Sequence, residues 1–291
     1  MVEVERAGER RTGRLFVVSL PIGNLEDITI RALRVLRSVD RILAEDTRDT
    51  RRVLDRYRIT TPFSSSIYQG VERERVEPVL RELRAGRDVA LVSDAGTPLI
   101  SDPGFPLVRA AVEAGISVVP VPGASALLAA LVASGVPCDR FAFDGMLPRK
   151  ASARTAYLQS LRSERRTVVI YESPHRLLAA LETIAEILPG RRLVLARELT
   201  KLHEEFLEGT ASEILEALRD RDRVRGECVL VVHGSSGSTP KIEPEVWAEI
   251  VALLREAELP RKAAARILAA AFGIARNDAY RKLGEAGDDG P

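Results

Sequence analysis

The sequence predicts an α/β protein made of two consecutive α/β domains followed by a small helical tail. Three observations predict this fold class. Short apolar, β-branched runs alternate with helical patterns from about residue 14 to residue 234. Polar, turn-forming residues follow most of these runs directly, as they do where a strand leads into a helix. A Gly/Ser-rich stretch then separates this region from three further helical patterns.

The pattern divides the chain into five segments. We predict a flexible amino terminus at 1–13, a first α/β domain at 14–122, a second at 123–234, a linker at 235–241 and a helical tail at 242–291. In the first of these domains, strands that alternate with helices imply a mostly parallel sheet with right-handed crossovers. The tail is typical either of a helix-turn-helix unit or of a plain dimerisation or capping element.

Composition limits the class of protein. The chain has 291 residues, 45% of them hydrophobic and 29% charged, which is ordinary for a soluble globular protein. No apolar run approaches the roughly 20 residues needed to span a bilayer. The charged first 14 residues lack the apolar core of a signal peptide. We therefore expect a cytoplasmic protein without membrane contact.

Several kinds of site are excluded by their missing motifs. Cys138 and Cys228 form no CxxC pair, and His175, His203 and His233 offer no zinc-ligand spacing, so we expect no metal. No GxGxxG follows the first strand and no GxxxxGK[ST] occurs, which argues against NAD enzymes and P-loop NTPases. A GxSxG nucleophile elbow is absent as well.

Local charge is more informative than the net charge of +1. Residues 140–166 hold seven basic side chains against two acidic ones, and residues 31–58 hold nine arginines against five acids. Such stretches are either phosphate-contacting faces or ordinary solvated surfaces in an arginine-rich chain.

Polar junctions at the ends of successive strands are the strongest site signal. The longest, at 93–104, combines two Gly, two Pro and two Asp after a buried apolar run. In open α/β sheets such loops line the ligand crevice. We expect the first half of this junction to contact a ligand and residues 101–104 to cap the next helix. Together the junctions predict one deep cleft between the domains, and they lie at 20–25, 45–50, 93–104, 122–126, 171–176 and 197–201.

Individual residues in these junctions have a plain structural alternative. Glu45 and Asp46 either cap a helix or face a ligand. Glu172 could simply pair with Arg176, and His175 could be an ordinary residue at a helix start. Lys150, likewise, could be one more solvated cation.

Seven segments of the chain, in order, resemble the bacterial small-subunit rRNA (cytidine-2′-O)-methyltransferases of the tetrapyrrole-methylase superfamily. The resemblance runs from about residue 14 to residue 234, and the tail is similar to a helical piece that many members carry. The segments are 20–25, 44–48, 92–104, 120–123, 147–150, 171–176 and 196–201.

The resemblance implies a homodimer that binds S-adenosylmethionine between its two domains. It also implies that the substrate is a decoding-site cytidine of 16S rRNA in the assembled 30S subunit. A methylase of a tetrapyrrole precursor and a catalytically silent RNA-binding or assembly factor are the alternatives. The donor-contacting positions carry over to Pro21, Gly23, Asp94, Ala95, Gly96, Thr97, Ser125, Ala126, Tyr171 and Arg197.

Catalytic and RNA-contacting roles follow as hypotheses. A ribose 2′-OH is a poor nucleophile, so we nominate Glu172 as proton acceptor and Lys150 as a nearby cation. Where relatives carry a His-rich, Asn-Glu segment, residues 66–72 keep Glu72 and lack the His and Asn. The grip on the substrate nucleotide is therefore expected to differ here. The expected RNA-contacting residues are Glu45, Asp46, Arg48, Arg149, His175 and Arg176.

Overall fold

The structure, a computed structural model, describes most of the chain. The described residues are 12–64, 66–68, 70–219, 221, 223–224, 226–235, 244–272 and 276–285. Nearly all of the predicted flexible amino terminus and of the predicted linker lies outside them.

A parallel sheet organises the first half of the chain. Its strands are β1 (Leu15–Val18), β2 (Arg41–Leu43), β3 (Val89–Leu91) and β4 (Val118–Val121), in the order β2-β3-β1-β4. Every pairing among them is parallel, as the alternation of strands and helices predicted. Phe63 adds a single parallel bridge to Ile42 of β2.

Helices cover both faces of this sheet. Helices α1 (Ile30–Ser38) and α2 (Thr47–Arg56) pack on one face, and α3 (Glu72–Arg84) and α4 (Phe105–Glu113) pack on the other. Adjacent residues of β1 point to opposite faces, because Phe16 joins the first cluster and Leu15 the second. Each such sheet therefore buries apolar side chains in two layers.

The second sheet is mixed. It contains β5 (Phe141–Met146), β6 (Thr167–Glu172), β7 (Arg192–Arg197), β8 (Glu205–Thr210) and β9 (Cys228–Val232), in the order β5-β6-β9-β7-β8. Only the β5–β6 pair is parallel among the strands described. Because β9 runs against β6, the first residues of β9 lie beside the last residues of β6.

The helices of the second half also form two layers. Helices α6 (Ala151–Ser160), α7 (Leu177–Ile187) and α8 (Ala211–Leu218) share one hydrophobic cluster with the sheet. Helix α5 (Ala126–Ala133) covers the opposite face, and Ile22 from the first half packs into the same cluster. The two halves are thus joined by apolar contact beside the loop that follows β1.

Three helices form the tail: α9 (Pro244–Glu256), α10 (Arg261–Phe272) and α11 (Arg276–Glu285). They bury a small cluster of their own around Leu268 and Ala279. Within the described chain, no helix is long and apolar enough to cross a bilayer.

Candidate active site between the two sheets

A cavity of about 410 Å³ lies between the two halves of the chain. Its walls come from the carboxyl ends of strands in the first sheet, from the start of α5, and from the β6–β9 edge of the second sheet. Nine predicted site residues line it: Glu45, Asp94, Ala95, Gly96, Thr97, Ser125, Ala126, Tyr171 and Glu172.

The first half of the 93–104 loop is fixed by backbone pairing. Leu20 and Gly96 exchange hydrogen bonds of 2.8 and 3.0 Å between their backbone N–H and C=O groups. The Thr97 hydroxyl lies 2.9 Å from the Ser19 hydroxyl and donates to the Ala124 carbonyl at 3.2 Å. The loop is therefore held to the end of β1 and to the segment that leads into α5.

The second half of this loop ends on Gly104, the N-cap residue of α4, as expected, but residues 101 and 102 border the cavity, which was not expected. Ser101 and Asp102 line the cavity, and Gly104, which precedes α4, makes no side-chain cap. Leu99 and Ser101 adopt positive φ values of 71° and 68°, which non-glycine residues rarely do. Backbone strain of this kind is common at ligand sites. It turns the chain so that residues 101 and 102 border the cavity.

Glu45 and Asp46 divide the two roles that the sequence left open. Asp46 caps α2 by accepting a 2.8 Å hydrogen bond from the Arg48 N–H, and it pairs with the Arg48 guanidinium. The Asp46 N–H donates to Asp94 Oδ1 at 2.8 Å. Glu45 lines the cavity instead. The start of α2 is thus tied directly to the cavity wall.

The cavity is strongly acidic. Five carboxylates line it, and no Lys, Arg or His does among the described residues. Burial raises the pKa of Glu45 to about 7, and the nearby Asp94 and Asp102 act in the same direction. Burial also raises the pKa of Asp102 to about 6, despite a hydrogen bond from Ser93. Mutual repulsion in a partly desolvated space disfavours the charged forms, so the site suits a cation.

Tyr171 joins α5 to the second sheet. Its hydroxyl accepts a 3.0 Å hydrogen bond from the Leu127 N–H, in the first turn of α5. Its ring meets Phe143 edge-on, with centroids 4.8 Å apart. Burial raises the pKa of the Tyr171 hydroxyl, which stays protonated. Tyr171 thereby positions Ser125 and Ala126 at the cavity wall.

Glu172 is the most deeply buried acid of the site, with a fully buried side chain. Its Oε1 accepts a 2.8 Å hydrogen bond from the Ser173 N–H. Its Oε2 lies 3.2 Å from Arg176 Nη2 as an ion pair and accepts no hydrogen bond among the described residues. Burial raises the pKa of Glu172, and the Ser173 N–H and Arg176 oppose that rise. A buried oxygen without a hydrogen-bond donor is rare and calls for a partner.

Besides its ion pair with Glu172, the Arg176 guanidinium binds two backbone carbonyl groups. Its Nη2 donates to the Leu147 carbonyl at 2.5 Å and lies 3.4 Å from the Pro148 carbonyl. These carbonyls immediately precede Arg149 and Lys150, both exposed and outside the cavity lining. The expected ion pair of Glu172 with Arg176 is therefore present, and it also holds the segment that carries the two cations.

The other residues that were predicted to contact the methyl donor lie beside the cavity. Pro21 and Gly23 flank Ile22, which lines it. A side chain at Gly23 would come within 2.6 Å of Lys201 Cγ and 3.0 Å of the Leu199 carbonyl, so only glycine fits this approach. Arg197 pairs with Glu205, at the β7–β8 edge. His175 is exposed and does not line the cavity.

A second cavity of about 490 Å³ adjoins the first. The two share Ile22 and Ser125 as lining residues. Its other walls come from the loops after β1, β4 and β7, including Gly123 and Thr200. The Thr200 hydroxyl accepts a 3.0 Å hydrogen bond from the Asn24 N–H, which links the two halves at this point.

Some lining residues escaped the sequence reasoning. Asp102 lies in the 93–104 segment, which was recognised as a site loop, but the residue was expected to cap α4. Glu227 and Cys228 have no motif, and they reach the cavity only because β9 is antiparallel to β6. The additional lining residues are Ile22, Ile100, Ser101, Asp102, Met146, Ser173, Pro174, Glu227, Cys228 and Val229.

Several proteins of similar sequence are ribosomal RNA small subunit methyltransferases I. The one from Pseudomonas aeruginosa is 47% identical over 274 residues, which cover 93% of this chain and 96% of that protein. The one from Escherichia coli O157:H7 is 43% identical over 278 residues, with 95% and 96% coverage. The one from Bacillus subtilis is 42% identical, with 84% and 83% coverage.

Solved structures agree in fold. The methyltransferase CobJ matches with a TM-score of 0.58 and 22% identity over 78% of this chain and 95% of its own. Uroporphyrin-III C-methyltransferase from Thermus thermophilus, complexed with S-adenyl homocysteine, matches with a TM-score of 0.51 and 20% identity over 76% and 97%. Residues 14–215 match the sequence model of the tetrapyrrole (corrin/porphyrin) methylase family. The chain therefore belongs to the tetrapyrrole methylase family, together with the ribosomal RNA small subunit methyltransferases I.

Proposed function

We propose that this protein transfers a methyl group from S-adenosylmethionine to the rRNA of the small ribosomal subunit. One observation carries the proposal. Relatives named for that activity are 41–47% identical to this chain, and the alignments span 83% or more of both proteins. Similarity to tetrapyrrole-modifying enzymes lies at 17–22% identity and extends to the fold alone.

The cavity fits the charge of the donor. S-adenosylmethionine carries a sulfonium and an ammonium group against one carboxylate, so it is a net cation. Five carboxylates line the cavity. Burial raises the pKa of Glu45 to about 7 and that of Asp102 to about 6, and neighbouring carboxylates add to both rises by a repulsion that a cation would relieve. The demethylated product has lost the sulfonium charge and would be held less tightly. Acidic walls therefore favour binding of the donor over the product.

We assign the donor site to the residues that line the cavity at the strand ends. Asp94 through Thr97 would bind it from the first sheet, and Ser125, Ala126 and Tyr171 from the second half. Pro21 and Gly23 would shape the loop around Ile22. Arg197 is paired with Glu205 and does not line the cavity, so it would support the donor site without touching the donor.

Methyl transfer to oxygen is an in-line displacement for which S-adenosylmethionine supplies an electrophilic methyl group. The chain must align the acceptor, exclude water and take up the acceptor's proton. Glu172 is our candidate for the last task, because its Oε2 is buried and its pKa is raised. A carboxylate of higher pKa is the stronger base.

The specific substrate we propose is the ribose 2′-OH of a decoding-site cytidine in the assembled subunit. Lys150, Arg149 and His175 are exposed, and they would contact the RNA from the second half of the chain. On the first half of the chain, the RNA would be contacted by Glu45, Asp46 and Arg48. The tie from Arg176 to the Leu147 carbonyl would hold Arg149 and Lys150 in place.

We also propose a homodimer that works in the cytoplasm, where small subunits are assembled. In support, α5 exposes Leu128 and Val132, one helical turn apart, to 50% and 73%. Large exposed apolar side chains on one helix face are typical of an interface.

Methyl transfer tests the proposal directly. Purified protein would be incubated with radiolabelled S-adenosylmethionine and one of three acceptors: unmodified 30S subunits, protein-free 16S rRNA or uroporphyrinogen. We expect label in the rRNA of the 30S subunits. Label in uroporphyrinogen but not in subunits would overturn the proposal in favour of a tetrapyrrole methylase, and no label anywhere would indicate a silent factor.

A further inference from the structure

Arginines are distributed unevenly over the two faces of the first sheet. Helices α1 and α2, on one face, carry seven arginines and two aspartates. Helices α3 and α4, on the other, carry five arginines and five glutamates. General arginine abundance would enrich both faces equally, so the excess on α1 and α2 needs another explanation.

The arginines of α2 form a regular row. Arg48, Arg52 and Arg56 are spaced four residues apart and therefore share one side of the helix, about 6 Å from one to the next. The side chains of Arg48 and Arg52 are 87% and 84% exposed. Their acidic partners, Asp46 and Asp49, lie within the same helix turn, and such exposed pairs are weak. Arg56 has no carboxylate partner among the described residues.

This row begins at the active site. The residue that caps α2, Asp46, donates its N–H to Asp94 in the cavity wall, and Glu45 lines the cavity. From there α2 leads outward over the surface. The exposed side chains of Arg31, Arg34 and Arg37 on the neighbouring α1 extend the basic area.

We infer that the outer surface of α1 and α2 binds the phosphate backbone of the RNA strand that enters the cavity. The inference rests on the proposed function for the identity of the RNA. An acidic cavity repels phosphates, so RNA needs a separate positive surface to hold it nearby. Cations at regular spacing on one helix suit a repeating anion, and they supply affinity without reading the base sequence.

The test uses two double variants with the same change in charge. Arg52→Gln/Arg56→Gln neutralises the row on α2, and Arg73→Gln/Arg81→Gln neutralises two exposed arginines on the opposite face, in α3. Binding of each to 30S subunits and to protein-free 16S rRNA would be measured from 50 to 200 mM KCl. S-adenosylmethionine affinity and thermal unfolding of each variant would show that both proteins are folded.

We expect the α2 variant to bind both RNAs about fivefold to tenfold more weakly. Its negative slope of log association constant against log salt concentration should become shallower by about 1 to 2. The α3 variant should match the wild type. Equal behaviour of the two variants would overturn the inference. A loss on 30S subunits alone, with an unchanged salt slope, would also overturn it and would indicate contact with a ribosomal protein.

Methylation of 30S subunits by the wild type is scored separately. Its absence would refute the proposed function, whereas the binding data would still decide whether the α2 row holds RNA.

Discussion

The cavity and the outer surface of α2 meet at Asp46, yet they have opposite charge. Five carboxylates line the cavity, whereas arginines form a row on the helix that starts at its edge. The net charge of the chain, +1, conceals this separation. A cationic methyl donor and a polyanionic acceptor need opposite surroundings within one catalytic assembly. The arrangement thus explains how one protein could bind both, with the donor in the acidic cavity and the phosphate backbone of the RNA on the basic surface outside it.

The largest effect is expected at Glu172. We predict that Glu172→Gln lowers methyl transfer by about 100-fold, because the amide cannot accept the proton of the acceptor hydroxyl. Donor affinity should change little, since four other acids remain at the cavity. Single-turnover rates on 30S subunits and calorimetric titration with the donor separate the two quantities.

Glu186→Gln, an exposed position on α7, is the matched control and should keep wild-type rates. A near-wild-type rate for Glu172→Gln would remove Glu172 from the mechanism and leave it a structural acid.

The next effect concerns the ion pair that keeps Glu172 charged inside the protein. We predict that Arg176→Met lowers the free energy of unfolding by about 3 kcal/mol at pH 8, because it leaves a buried carboxylate without its cation. Loss of the cation raises the folded-state pKa of Glu172 further. Stability from a raised carboxyl pKa is present at low pH and is lost as pH rises through that value. The deficit should therefore be smaller at pH 5.

Denaturant unfolding at both pH values checks this prediction. The double variant Glu172→Gln/Arg176→Met should regain most of the lost stability, since no buried charge remains. If the two substitutions were simply additive, the pair would not be coupled and the prediction would fail.

A smaller effect is expected in the pH dependence of donor binding. Glu45, with a pKa of about 7, faces the carboxylates of Asp94, Asp102, Glu72 and Asp46. A cation binds their ionised forms, so affinity for S-adenosylmethionine should rise about tenfold between pH 5.5 and 7.5. Glu45→Gln should remove most of the rise above pH 6.5. Calorimetry across this range measures both curves.

S-adenosylhomocysteine lacks the sulfonium charge and provides the control for this experiment. We expect its affinity to change less than about threefold over the same range. An equal pH dependence for donor and product would contradict an electrostatic role of the acidic cavity.

Local chemistry made much of this site predictable. Strand ends followed by turn-forming residues located the 93–104 loop and the 171–176 segment, because a chain leaving a strand must bend there. The predicted parallel order of the first sheet followed from short strands that alternate with helices. Both inferences used residues that are close together in the sequence. The role of Tyr171 came from the family resemblance.

Features set by distant pairing were not predictable. The antiparallel course of β9 brings Glu227 and Cys228 to the cavity, and no short motif encodes that pairing. The direction of Asp102 depends on positive φ angles at Leu99 and Ser101, which side-chain preferences argue against. The sequence showed the arginines of α2 only as a local excess of positive charge. The bounds of the helix were needed to place Arg48, Arg52 and Arg56 on one side of it.

The position of the transferred methyl group tests the central claim most directly. Unmodified 30S subunits would be incubated with the protein and S-adenosylmethionine, and the 16S rRNA digested to nucleosides for mass spectrometry. Our account predicts one additional 2′-O-methylcytidine per subunit and no new base methylation. A methyl group on a base, or on a ribose other than that of cytidine, would contradict it.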